Sequence, residues 1–346
     1  MSFLFVIIGL AVLVLIHELG HFLMAKRFGL LVEEFGFGFP PRLFAKKIGE
    51  TLYSFNLLPI GGFVKIYGES GELLHNPRVF PREEKIADGR SFERQSAWKR
   101  VAIMLAGVFM NFLLGWLLLS VVFMIGVPRA VVITQVLENS PAAAAGFQLG
   151  DVVLGYEKPE DLISHVQANR GQELTLEIKR GKENLKISAV PKNGVTEGAL
   201  GVALAGVGFE ARSPWQALVS GLVSAFWIGV SVIVGFWNLI TSLFIELKVP
   251  QGIVGPVGIF GVASQAGSLG VVYLLQLVAV ISLNLAALNI LPFPALDGGR
   301  IFLVLVEKIK GSPLKPQTEI LINGVGFTFL LVLMAVITVK DIASLL

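Results

Sequence analysis

Hydrophobic residues in this chain come in long unbroken runs separated by polar stretches. Five runs, at about residues 3 to 25, 101 to 127, 216 to 245, 271 to 291 and 323 to 339, approach or exceed the roughly 20 apolar residues that carry an α-helix across a bilayer. The first starts without Lys or Arg in Met1 to Phe5, has no small-residue cleavage site after it, and is followed by Lys26 and Arg27. It reads as a retained anchor rather than a signal peptide, with its N-terminus outside and its C-terminus in the cytoplasm. Residues 26 to 100 carry Lys46, Lys47, Lys65, Arg82, Lys85, Arg94, Lys99 and Arg100, which places this segment on the cytoplasmic side. Within it, Phe35 to Phe39 (FGFGF), Pro40-Pro41 and Tyr53 to Ile66 alternate aromatic or branched residues with glycines, a pattern that predicts short strands close to the membrane surface. Residues 130 to 193 are the one stretch that reads as a soluble domain: VVITQVL, a small-residue turn of helix, LGDVVLGY, the helical PEDLISHVQANRG, then two alternating strands.

Composition agrees with the runs. Hydrophobic residues make up 54% of the 346 and charged ones only 15%, with a mean hydropathy of +0.74, too apolar for a soluble domain and right for a polytopic α-helical membrane protein in a lipid bilayer. The net charge of +3 is too small to form a basic field, so nucleic acid is not a partner. There is no cysteine, which leaves His, Asp and Glu as the side chains able to hold a metal.

Candidate chemistry lies inside the first run. His17-Glu18-Leu19-Gly20-His21 is an H-E-x-x-H motif in a segment that lipid forces to be helical. Four residues apart, the two imidazoles fall on one face and can share a Zn2+, while Glu18 lies about 100° round and can take a proton from water. Three ionisable residues in an apolar helix each oppose insertion by up to about 3 kcal/mol, and a metal site offsets that cost. At 1.5 Å per residue the motif lies about 21 Å into a roughly 30 Å core, close to the cytoplasmic face. A third protein ligand is needed. His75 and His165 stand in polar segments, whereas Asp297, in Asn289-Ile-Leu-Pro-Phe-Pro-Ala-Leu-Asp-Gly-Gly299, follows directly on an apolar run broken by Pro292 and Pro294. The alternative for Asp297 is a residue in a Pro/Gly turn at the membrane surface.

HELGH together with N-x-x-P-x-P-x-L-D-G closely resembles the site-2 protease family of intramembrane zinc metalloproteases, in its bacterial PDZ-containing RseP type. The likeness continues through GFGF, YSFNLLPIGGFVKIYGE, LDGG and EKIKG, and through a segment similar to a bacterial PDZ domain at Ser140, Pro141, Ala145, Gly146, Gly150 and Asp151. It implies that His17, His21 and Asp297 bind zinc, that Glu18 is the general base, and that Asn289 positions substrate or stabilises the oxyanion. It further implies that Gly36, Phe37, Gly38 and Phe39 belong to a re-entrant β segment whose strand edge pairs with unwound substrate. Two departures stand out. Ala106-Gly107-Val108-Phe109-Met110-Asn111-Phe112 lacks the family's proline, while Asn111 remains an active-site neighbour on the substrate's side. The loop after Tyr156 is short for a PDZ domain.

The expected architecture is therefore a polytopic α-helical membrane protein with about four transmembrane helices, a membrane-associated β segment and one small α+β PDZ-like domain. Residues 1–129 hold the first two spans and the β loop, 130–193 the PDZ-like domain, 194–270 a linker with an interfacial or re-entrant apolar segment, and 271–346 the last two spans. Setting 216 to 245 aside follows from parity, because 271 to 291 must run inward to bring Asp297 beside His17. The implied function is hydrolysis within membrane-spanning segments of single-span proteins already trimmed by another protease, such as anti-sigma factors or signal-peptide remnants. The implied setting is the bacterial inner membrane, with the active site near the cytoplasmic face and the PDZ-like domain on the other side. A non-catalytic PDZ scaffold with a structural metal is the rival reading; a transporter would call for internal repeats, which the sequence lacks.

Overall fold

The computed structural model describes residues 2–69, 88–181, 183–193, 198–246 and 253–343. Its contacts separate two compact units, one built from residues 1–118, 222–263 and 277–346, the other from 119–221 and 264–276.

In the first unit, α1 (Ser2–Arg27) is the HELGH helix. It stops in a Schellman turn: Leu30 N donates to Ala25 O, Gly29 N donates to Lys26 O, and Gly29 takes φ +77°, a conformation open to glycine. Leu30 and Ala25, both fully buried, supply the apolar contact of that turn. Helices α2 (Ala97–Ile125) and α7 (Val271–Asn289) pack on α1 through small residues. A Cβ on Gly20 would lie 2.4 Å from Ala106 O, one on Gly9 would lie 2.9 Å from Val278, and one on Gly115 would lie 2.6 Å from Leu283. The pairs fix directions. Residues 9 and 17 of α1 meet 278 and 289 of α7, so these two run the same way, and 111 and 115 of α2 meet 282 and 279, so α2 runs against both.

The β segment is β1 (Val32–Ile48) and β2 (Thr51–Ile66). Both strands bend sharply, so the hairpin folds on itself. Phe44 to Ile48 pair with Thr51 to Phe55 across the turn, and the first half of β1 then pairs with both halves of β2, Gly36 lying opposite Ser54 on one side and Phe63 on the other. After α7, Pro292 and Pro294 interrupt the chain and Ala295 takes φ +72° before α8 (Asp297–Lys310) begins. Gly298 and Gly299 let α8 start against that break, where a Cβ would meet Leu291 O or Phe293 O at 2.1 Å. Helix α9 (Pro316–Ala343) holds the break from the far side, with Asn323 Oδ1 accepting from Ala295 N at 3.2 Å.

The second unit carries an antiparallel sheet in the order β6-β5-β4-β3-β7. Its strands are β3 (Val127–Val136), β4 (Val152–Val153), β5 (Leu174–Arg180), β6 (Glu183–Ala189) and β7 (Val202–Phe209). Two helices accompany them, α3 (Pro141–Ala145), capped by Ser140 and closed by Gly146 at φ +88°, and α4 (Pro159–Ala168). Alternation along β5 buries Leu174, Leu176 and Ile178 against Val131, Ile133, Phe147, Leu162 and Val166. The fifth strand, β7, comes from the stretch that the sequence reads as linker.

Among the described residues five helices are long and apolar enough to cross a membrane, at the five apolar runs of the sequence. The third is α5 (Pro214–Thr241), an unbroken helix of 28 residues and about 42 Å. A re-entrant excursion needs a break in the helix, and α5 has no internal proline and continues only into a π-helical turn at Ser242–Glu246. Between it and α7 lies α6 (Pro256–Leu269), with 14 residues.

Candidate metal centre

His17 and His21 stand one turn apart on α1, their rings edge to face with centroids 4.7 Å apart. Asp297 arrives from the start of α8. His17 Nε2 lies 3.1 Å and His21 Nε2 3.4 Å from Asp297 Oδ2, and the two nitrogens are 3.2 Å from each other. The three side chains are 11%, 10% and 17% exposed, so little water reaches them. Asp297 Oδ2 is buried without a hydrogen bond of acceptable geometry despite those short distances. Three donor atoms thus converge in a geometry that a bound cation would satisfy.

The spacing can be tested against zinc. Tetrahedral ligation with bonds of about 2.0–2.1 Å sets donors roughly 3.3 Å apart, and the observed 3.1, 3.2 and 3.4 Å match that edge length. Two imidazoles and one carboxylate are a donor set that suits zinc and leaves a fourth position for water or substrate. The outer nitrogens are held too. His21 Nδ1 donates to Ile103 O at 2.8 Å, which directs the lone pair of Nε2 inward, and His17 Nδ1 faces Asn111 Nδ2 at 3.3 Å.

Glu18 is on the same helix next to the pair, its Cγ 3.6 Å from where a Cβ on Gly62 would stand, so the second half of β2 passes beside it. Asn289, the last residue of α7, reaches to 3.5 Å of His17 Nε2. Asn111 is in the cluster but 1% exposed. Gly36, Phe37, Gly38 and Phe39 take a different place from the expected open edge. Gly36 and Phe37 are paired on both sides, a Cβ on Gly36 would meet the Phe63 ring at 2.4 Å, Phe37 stacks on Phe55, and Gly38 at φ +77° lies against Leu58 O. Their glycines serve close packing within the sheet, while among the described residues Gly62 to Ile66 pair on one side only. His75 lies outside the described residues, and His165, on α4, rests against Tyr156.

Gly107 is the residue that sequence reasoning missed. A Cβ there would come 2.4 Å from His21 Nε2 and 2.9 Å from His17 Cε1. The available signal was the small pair Ala106-Gly107 one turn before Asn111 in a membrane helix, where small residues mark close backbone approach.

The model of Peptidase family M50 matches residues 5–333. The chain belongs to peptidase family M50. This M50 peptidase is similar to a provisionally named zinc metalloprotease of Clostridium perfringens, 34% identical over 350 residues that take in 99% of this chain and 98% of that one. It is also similar to the regulator of sigma-W protease RasP of Bacillus subtilis, 30% identical over 419 aligned positions covering 98% of this chain and 97% of the relative, and to the zinc metalloprotease RasP of Bacillus licheniformis, 30% identical with 96% of each covered. As an M50 peptidase the chain is a zinc metalloprotease with Zn2+ as its cofactor, and its apolar helices make it a multi-pass bacterial membrane protein.

Proposed function

We propose that this peptidase hydrolyses peptide bonds within the membrane-spanning segments of single-span proteins. The observation that carries the reading is the convergence of His17, His21 and Asp297, with Glu18 beside them, on the inner end of an apolar helix. In it His17 Nε2, His21 Nε2 and Asp297 Oδ2 would hold the metal. Bound zinc supplies Lewis acidity at that point, acidifying water and polarising a carbonyl. The Glu18 carboxylate takes the proton from the attacking water and hands it to the leaving amine. Asn289, within reach of the same centre, orients the scissile carbonyl through its amide N–H.

A helical substrate must unwind before its carbonyls are accessible, and an unwound strand needs backbone partners in lipid. The second half of β2, Gly62 to Ile66, supports that role: it passes Glu18 and is paired on one side among the described residues. This moves the proposed substrate strand from Gly36–Phe39 to its neighbour. The second unit is read as a PDZ-like domain outside the cytoplasm that turns away substrates with bulky outer domains. The name of the Bacillus subtilis relative, regulator of sigma-W protease, supports a link to sigma-factor regulation, and the proposed substrates are membrane-bound regulators of that kind, pre-cleaved by another protease.

Parity supports four crossings among the five candidates. Because α7 runs with α1 and against α2, the chain between α2 and α7 crosses an even number of times. A return through α6 would span only about 21 Å of a roughly 30 Å core, so α5 does not complete a crossing.

The deciding comparison is native protein against Glu18→Gln, in liposomes, on a model transmembrane substrate with zinc content measured. Native cleavage with at least about a 100-fold loss in Glu18→Gln and zinc retained is expected for a missing general base. Equal cleavage by both would remove Glu18 from the chemistry.

A further inference from the structure

The outer nitrogens of the two histidines are held by chemically different partners. Ile103 O only accepts, so the proton of the neutral His21 ring stays on Nδ1 and its Nε2 presents a lone pair. His17 Nδ1 instead meets a side-chain amide, which has a donating and an accepting end of nearly the same shape. With the NH2 of Asn111 on Nδ1, at 3.3 Å, the ring proton sits on Nε2, which is 3.1 Å from Asp297 Oδ2 but without a hydrogen bond of acceptable geometry to it. With the amide oxygen on Nδ1, the proton moves to Nδ1 and Nε2 becomes a lone pair able to bind a metal. Nothing on the far end of the amide chooses between these: Asn111 Oδ1 is buried and has no hydrogen-bond partner among the described residues. The backbone beneath it is fixed, since Ser282 Oγ donates to Asn111 O at 2.8 Å.

We infer that Asn111 is a positioning residue for His17, its amide oxygen facing Nδ1 when the site holds zinc and its amide nitrogen facing Nδ1 when it does not. A half-turn of one side chain then frees the Nε2 lone pair of His17 for zinc beside Asp297. This rests on the reading of His17, His21 and Asp297 as the zinc ligands. It also reassigns Asn111, whose 1% exposure leaves no surface for a substrate, from substrate contact to support of the metal.

The test is zinc affinity, read by chelator competition on the full-length protein in detergent, for native, Asn111→Leu, Asn111→Asp and Asp297→Asn. Leucine removes both ends of the amide, and affinity is expected to fall about 10- to 100-fold, the usual effect of losing a histidine's outer partner. Aspartate keeps an acceptor on Nδ1 and discards only the donor, so its affinity is expected to stay within about 3-fold of native or to rise, as in carboxylate–histidine–zinc triads. A residue that merely fills space would not separate these two variants. Native affinity in Asn111→Leu, or a loss in Asn111→Asp as large as in Asn111→Leu, overturns the inference. If Asn111→Leu does not fold, Asn111→Ala takes its place in the same comparison. Asp297→Asn tells the two readings apart: zinc lost there but kept in Asn111→Leu overturns only the role of Asn111, whereas zinc kept in Asp297→Asn overturns the ligand set itself.

Discussion

Glycine decides how closely the backbone of α2 can approach the two imidazoles. At Gly107 a single methyl group would lie 2.4 Å from His21 Nε2, inside any allowed carbon–nitrogen contact, and the neighbouring atom is a proposed ligand rather than the loose end of a flexible side chain. Either α2 moves off α1, taking Ile103 O and Asn111 with it, or the rings turn out of line. Gly107→Ala is therefore expected to weaken zinc binding by about 10-fold or more, a loss comparable to removing an outer partner of a ligand, with cleavage falling in parallel. Chelator competition alongside a cleavage assay checks this, and native zinc affinity in that variant would show that the site has slack the packing does not suggest. Gly62 plays a related part on the other side, keeping β2 slim where it passes Glu18.

Elements are held in place by polar ties as well as by packing. Helix α8, which presents Asp297, is tied to α2 by Arg100 and Glu307 at 2.6 Å and to the end of β2 by Arg300 and Glu69 at 2.6 Å. The first pair is nearly buried, at 14% and 13% exposed, so it fixes geometry more than a surface pair does. In the second unit the corresponding tie is Asp151, 1% exposed, which accepts from Arg180 Nε at 2.8 Å, from Arg180 Nη2 at 2.7 Å and from Gln148 N at 2.9 Å. Asp151→Ala removes two hydrogen bonds of the guanidinium, which keeps the one to Gly146 O at 2.8 Å, and strands the backbone donor of Gln148. Its cost is expected to be about 2–3 kcal/mol, below the roughly 3–5 for a fully buried pair, because Arg180 is 31% exposed. Hydrogen exchange of the β3, β4 and β5 amides in the full-length protein measures it, and unchanged protection would contradict the assigned role.

At the scale of the molecule the open quantity is the number of crossings, and it has a direct readout. A reporter fused after residue 250 is expected to respond as an outside location if α5 does not complete a crossing. A cytoplasmic response would mean that α5 crosses and that the chain returns before α7, because α7 runs with α1. Either response leaves the candidate metal centre intact, since its three candidate donors come from α1 and α8 and the side chains and carbonyl around them from α2 and α7.

The chemistry was legible in the residues themselves. H-E-x-x-H is a helical spacing, and a membrane helix has only one way to satisfy its backbone, so His17, Glu18 and His21 had a defined geometry before any fold was known. Asp297 could be nominated because a Pro-interrupted run at membrane depth needs a cavity or a ligand site around it. Strand pairing in the β segment was not legible: Gly36 to Phe39 carry a strand pattern, but which side of a strand is covered depends on how a bent hairpin folds back, and alternation along one strand carries no information about its edges. Nor could apolarity tell whether 216 to 245 breaks or runs straight, since both patterns are equally hydrophobic. Sequence by itself determined the candidate metal donors on α1 and the apolar, membrane-like helices, because spacing along a helix and transfer into lipid are local properties. Only the tertiary structure decided the partners of those side chains, Ile103 O and Asn111 behind the histidines, Gly107 against them and Gly62 beside Glu18, because these contacts join residues that are distant in the chain.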